Sequence, residues 1–495
     1  MRAWIAVSLL LVACDLEPAG CDPATPDPQM PAQAIGPAAA EFFIPAASLA
    51  ELGPAAARLL AQEAEGALCA SLPPLQGTSG DLGYHIEAFD ACRPLRSLDV
   101  VLEDSRLQVT AEYQATCISR TIELSPGDPV KTCELNLSLP AARLSLALAP
   151  AAGAPRLELA GEALLEAVGP TLSLSDRCPL SGFGALFDEV LGRLGPAQNE
   201  AAQQAAATLS DTLQRAAGIS AASRGTLTTP AGDGRLSFSM VPATDGLVLD
   251  EAGLHLLFSG GFFGSRSACV PEELLPWPPA ASAPLWTFAP TEGTPFALAV
   301  SIDPALLAQA LGEAVRAGLL CRPITGSMSL PLDDVLPSLF GQQADAMGTV
   351  ALWPAGDIAV ALQSPRPDAP VRFSVDFSNL QIDVYARLLG CAARVLGLEV
   401  DVSLALSLDL SSGAPRLTFA DLGVTRLEIR HSALLEEGGG ELRTQATIIV
   451  RRLAELAVSS LGELPWAVPE VGRGGPRAAE VRQGRLMFFF DAYRP

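Results

Sequence analysis

Two spacings of apolar residues alternate along the chain. Helical spacing marks 46–67, where the segment ends Gly66-Ala67-Leu68-Cys69, and Pro304 to Leu319, with Leu306, Ala310, Leu311, Val315 and Leu319 on one face. It returns from Phe183 to Ala217, with Phe183, Leu186, Phe187, Val190, Leu191 and Leu194, and from Glu441 to Leu461, with Ile448, Ile449, Leu453 and Leu456. Between these helices the spacing falls to two, as in Leu236, Phe238 and Met240 or Val371, Phe373, Val375 and Phe377, and Gly, Pro, Asp and Ser mark the turns. The pattern predicts an α+β protein of two tandem halves. Each half has an early helix, several antiparallel strands in a strongly curved sheet, a long late helix and closing strands.

The halves share wording as well as order. Leu144, Leu146 and Leu148 followed by Gly153-Ala154-Pro155-Arg156-Leu157 recur 260 positions later, as Leu404, Leu406 and Leu408 followed by Gly413-Ala414-Pro415-Arg416-Leu417. An alternating strand, a Gly/Pro turn and a second strand thus occur twice at one offset. Between the halves, 269–291 holds six prolines with Trp277 and Trp286, a composition that makes a semi-rigid connector without sheet pairing. The boundaries that follow are 41–268 for the first domain and 292–495 for the second.

Residues 1–13 read as a leader. Arg2 supplies one positive charge, Ala3 to Ala13 is apolar but too short to span a bilayer, and Leu11-Val12-Ala13 stands directly before Cys14. Leu-Val-Ala-Cys resembles the lipobox of bacterial lipoproteins, which implies that Cys14 carries the lipid and becomes the first mature residue. Residues 14–40, rich in Pro, Ala and Asp, read as a tether. No later segment is continuously apolar over the roughly eighteen residues that a span needs. The expected location is the bacterial cell envelope; Asp15 after the cysteine leaves inner and outer membrane both open.

Charge narrows the partners. A formal net charge of −23 opposes binding to nucleic acid and to anionic surfaces, since like charges repel. Ten cysteines in an exported chain point to disulfides. Cys117 and Cys133 flank the turn Ser125-Pro126-Gly127-Asp128 and are expected to bridge across a hairpin. Cys321 and Cys391 form the natural pair of the second half. Cys69 with Cys92 and Cys178 with Cys269 remain, and Cys21 is left over in the tether.

Local signatures of enzymes are missing. His85, His255 and His431 begin no HExxH motif, no serine has glycine at both −2 and +2, and the single lysine, Lys131, follows Val130 rather than glycine. Period two in Gly253-Leu254-His255-Leu256-Leu257-Phe258 puts His255 opposite the leucines, as a solvent-facing strand residue without a role. No cofactor, metal or catalytic residue is implied.

Two such halves joined by a Pro-rich linker resemble the tubular lipid-binding superfamily that includes bactericidal/permeability-increasing protein. The local carriers of the likeness are FSMVPATDGLVLDEAGLHLLFSGGFFG from Phe238, IDPALLAQALGEAVRAGLL from Ile302, and Leu464-Pro465 followed by Gly484-Arg485-Leu486-Met487-Phe488-Phe489-Phe490. The resemblance implies an elongated boomerang of two barrels. Each barrel holds lipid in an apolar pocket between helices and sheet, and neither needs a catalytic residue. Pocket lining is expected from Leu306, Leu311 and Val315 of the second opening helix, and from Phe183, Phe187, Leu191, Ile449 and Leu453 of the late helices. The expected partners are lipid or another apolar ligand and, through the anchor, a membrane. The cationic tip of the antibacterial members has no counterpart here, which puts charge-driven endotoxin binding in doubt. The alternative is a non-enzymatic structural or protein-interaction lipoprotein whose barrels are filled by side chains.

Overall fold

The computed structural model describes residues 35–63, 66–79, 82–125, 131–175, 178, 184–219, 223–228, 235–267, 296–318, 322–324, 336–338, 345–363, 371–388, 391–410, 416–461 and 477–490. The leader, Cys14, the Pro-rich connector, Phe183, Cys269 and Cys321 lie outside them.

Strands from both halves meet in one antiparallel sheet. Its spatial order is Ser223–Thr228, Arg235–Asp250, Gly253–Gly264, Ile35–Pro45, Leu298–Ile302, Arg485–Phe490 and Ala478–Arg482. The first four strands belong to the first half and the last three to the second. Main-chain pairing of Phe42 with Val300 and of Phe43 with Ala299 therefore joins the halves. The chain enters this sheet at Ile35, earlier than position 41. Alanines and glycine give Ile35–Pro45 the composition of a linker, yet Ala39 and Ala40 are buried, because small residues suit a strand packed closely on both faces.

Beyond the shared sheet, the first half has two more. One of six strands is built on Phe89–Glu103, Arg106–Tyr113 and Ala142–Pro150, and one of five on Thr116–Ser125 and Lys131–Leu139. The second half has one six-stranded sheet built on Arg372–Leu388, Cys391–Asp409 and Arg416–His431. Inward positions alternate as the spacing predicts: Leu107, Val109, Ala111 and Tyr113 are buried, as are Leu144, Leu146 and Leu148. Register shifts interrupt both long ladders of the second half, at Phe377/Leu380 and Val384/Tyr385 in one and at three places in the other. Such bulges bend strands and increase their twist, which curls the sheet.

The repeated wording pairs as antiparallel strands in both halves, with different registers. Leu148 pairs with Leu159, and Leu408 pairs with Leu417, the second hairpin being shifted by two residues relative to the first. In the first copy Gly153 turns the chain at φ 73°, a conformation that costs glycine little.

The long helices run over Gly184–Ala216 and Gly439–Leu461, and the second opening helix over Pro304–Arg316. Pro304 starts the latter where no amide donor is needed, and the Asp303 side chain accepts from Ala305 N at 2.8 Å. The first opening helix is split into Ala46–Leu49 and Leu52–Gln62, and the strand Ala67–Leu72 begins where the sequence still reads as helix.

Cys69 is bonded to Cys92, directly opposite it in the ladder. Cys133 is bonded to Cys178, so neither the Cys117–Cys133 pair nor the Cys178–Cys269 pair forms. Register decides this. Cys133 lies opposite Ile122 and is buried, whereas Cys117 lies opposite Ser138, five residues along the strand and on the exposed face. A hairpin bridge needs the two cysteines facing each other within about 7 Å. Of Cys391 the backbone is described, paired with Leu388, and its expected partner Cys321 is not among the described residues.

Candidate functional site

One apolar interior runs through both halves. It includes Leu144 and Leu213 of the first half, Phe42 and Phe488 of the shared sheet, and Leu398 and Ile449 of the second half in a single packed cluster. The residues expected to line a pocket lie in or beside buried clusters. Ile449 and Leu453 are buried within the shared interior and Val315 is fully buried, while Leu311 and Phe187 are half-buried against that interior. Leu306 packs with Ala39 beside Met240, Phe262 and Ile302. Leu191 does not face inward: it is 39% exposed, because Leu186, Val190 and Leu194, four residues apart, form the inward stripe and Leu191 lies one step around the helix. By the same geometry Ile449 points in and Ile448, 46% exposed, points out.

A cleft of about 430 Å³ in the first half is lined by Ser71, Leu72, Pro73, Ala88, Phe89 and Asp90. The guanidinium of Arg120 stands 5.5 Å from the centre of the Phe89 ring, and Ser71 Oγ donates to Asp90 at 2.6 Å. None of the expected lining residues belongs to it.

The second face of the shared sheet carries a buried polar seam. His255 Nδ1 donates to Glu41 Oε1 at 2.7 Å, and His255 Nε2 is 3.5 Å from Asp250 Oδ1. Farther along the same face, Arg485 donates through Nε to Ser301 Oγ at 2.6 Å and through Nη1 to Asp303 at 3.2 Å. Register lines these groups up: Phe43 pairs with His255, and Glu41 with both Leu257 and Ser301. Burial pulls the Arg485 pKa down, and the charges of Asp303 and Glu41 pull it back up. His255 is therefore not solvent-facing. Period two placed it on the correct face, but Phe43, Ala299, Met487 and Phe489 make that face a second small core. The apolar run Leu254 to Phe258, interrupted only by His255, is the signal of a strand covered on both sides. The hydrogen bond between Glu41 and His255 ties the two strands together across this buried face. Among the described residues no group of three or more His, Cys, Asp or Glu side chains is placed to hold a metal ion.

The second opening helix completes the joint. Beyond Gly260, among the described residues, no strand pairs with Gly253–Gly264 on the side where Ile35–Pro45 ends, and amides there donate to side chains of this helix. Phe262 N donates to Gln309 Oε1 at 3.1 Å and Gly264 N to Glu313 Oε2 at 2.7 Å, from residues one turn apart. Gly264 is required here, because a Cβ would strike the Glu313 carbonyl. Burial raises the Glu313 pKa above its ordinary 4.5, opposed by the Gly264 amide and by Arg316. The stability that Glu313 contributes is thus complete below about pH 4.5 and is lost as pH rises through its folded value. A Glu313→Gln variant keeps an acceptor and never ionises, so its Tm should gain on wild type as pH is raised from 4 to 7. A Tm difference independent of pH would contradict the assignment.

No family model and no curated protein matches the chain. Among solved structures, a lipopolysaccharide binding protein is similar at 14% identity, over 92% of this chain and 99% of that one, with a TM-score of 0.46. P47 of Clostridium botulinum E1 aligns at 6% identity over 92% and 99%, with a TM-score of 0.23. P47 from Clostridium botulinum A2 aligns at 8% identity over 92% and 97%, with a TM-score of 0.26.

Proposed function

We propose that this chain is a non-enzymatic lipoprotein of the bacterial envelope, anchored through Cys14, that holds lipid acyl chains in the apolar interior beneath its long helices. The carrying observation is the single interior that runs from the first half through the shared sheet into the second. Two-domain proteins ordinarily build one core per domain. Acyl chains held by such an interior would lie among its apolar side chains, and holding them needs no catalytic group. Native mass spectrometry and solvent extraction of the purified mature protein should find bound lipid. Protein repeatedly free of lipid would rule the reading out.

The second reading, a structural or interaction lipoprotein with a filled interior, draws support from the tight burial of Val315 and Ile449. Absence of extractable lipid together with full stability would select it.

The anchor is separately testable. Diacylglycerol plus an amide-linked chain binds membranes firmly where one chain is marginal. Among the described residues no helix is long and apolar enough to cross a membrane. Cys14→Ser should move the protein from the membrane fraction to the soluble fraction, and unchanged tight membrane association would reject Cys14 as the anchor.

A further inference from the structure

Arg93 is 1% exposed, one of the largest fully buried side chains of the protein. It lies in strand Phe89–Glu103 on the face shared with Phe89 and Ala91, directly opposite Leu68, so its guanidinium enters the apolar interior of the first half. Nε donates to the Pro140 carbonyl at 2.9 Å, and Nη2 is buried without a partner. Among the described residues no carboxylate pairs with Arg93, in a chain that has 55 acidic residues. Burial lowers its pKa, and no neighbouring acid opposes that shift.

A buried cation is strongly disfavoured unless it is paired, and removing it from water is not repaid by one carbonyl. With Nε committed to Pro140, the buried Nη2 remains to donate, and a guanidinium is the group that best receives the oxygens of a carboxylate or phosphate. Tyr113 shares this inward face opposite Leu95, two residues on, and burial pushes its phenol up to about 12, so it stays a hydrogen-bond donor at neutral pH.

We propose that Arg93 binds an oxyanion, the phosphate or carboxylate of an amphiphile whose chains occupy the interior of the first half. This rests on the lipid-holding reading above. The acidic exterior repels free anions, so it favours an oxyanion that arrives attached to an apolar chain.

The test offers delipidated full-length mature protein two probes with identical chains, dioleoylphosphatidylglycerol and dioleoylglycerol, and counts bound lipid by native mass spectrometry. Wild type should retain the phosphate-bearing lipid about tenfold or more over the neutral one. Arg93→Gln should lose that discrimination, and Arg93→Lys should keep part of it. Circular dichroism checks the variants, and the wild-type comparison stands even if Arg93→Gln fails to fold. Equal retention of both lipids by wild type overturns the Arg93 site and leaves lipid holding intact, as does discrimination that survives in Arg93→Gln. In a parallel arm, inorganic phosphate alone is added. A rise in Tm for wild type and not for Arg93→Gln supports the oxyanion site with free phosphate as its source. Retention of neither lipid overturns the lipid reading, and with no phosphate effect the Arg93 site falls as well.

Discussion

Aspartate at Ile449 should unfold the second half rather than empty it of lipid. Ile449 is 1% exposed, inside the shared interior with Ala446, Val450 and Leu453. The substitution removes about 2–3 kcal/mol of apolar burial and adds a polar group without a partner at about 1–3 kcal/mol more. The sum, roughly 3–6 kcal/mol, is a large part of the stability of an ordinary domain. Ile448→Asp, one residue away and 46% exposed, should stay within about 0.5 kcal/mol of wild type. Thermal unfolding followed by circular dichroism, with lipid counted per folded molecule, decides the matter. An Ile449→Asp protein that melts like wild type but has lost its lipid would show Ile449 lining a pocket instead of a packed core.

Arg485→Ala should cost about 3–5 kcal/mol, the range for breaking a buried ion pair from one side. Arg485 is 5% exposed and holds Ser301 and Asp303, and Asp303 in turn caps the helix Pro304–Arg316. Alanine would leave a buried carboxylate without its cation and loosen the strand pair Leu298–Ile302 and Arg485–Phe490, which brings the second half into the shared sheet. Urea unfolding measures the loss, and hydrogen exchange at Ala299 to Ser301 reports whether it is local to this joint. A loss under about 1 kcal/mol would mean that the polar seam adds little to holding the halves together.

Much of the architecture was legible in the order of residues, because helix and strand spacings are local properties. The long helices appear within a residue or two of where the stripes of Leu186, Val190 and Leu194 and of Ile449 and Leu453 place them. The duplicated Leu-x-Leu-x-Leu and Gly-Ala-Pro wording gives an antiparallel strand pair in each half, since alternation acts over a few residues, while the registers differ by two. Cys69 with Cys92, left by the sequence as one of the remaining pairs, is bonded because the two stand opposite each other in the ladder.

What the tertiary structure alone decided depends on which distant strands become neighbours. Cys133 meets Cys178 rather than Cys117 because register, set along a whole ladder, carries Cys117 to the opposite face. His255 is buried because a sheet shared by both halves is covered on its second face, and its partner Glu41 comes from 214 residues away. The arginine at 93 reads as an ordinary polar residue in an alternating strand, and only the closure of the sheet around it makes its charge an unpaired one. Local spacing assigns a side chain to a face. Whether that face meets water, a core or a charge is set by chain segments that local spacing does not see.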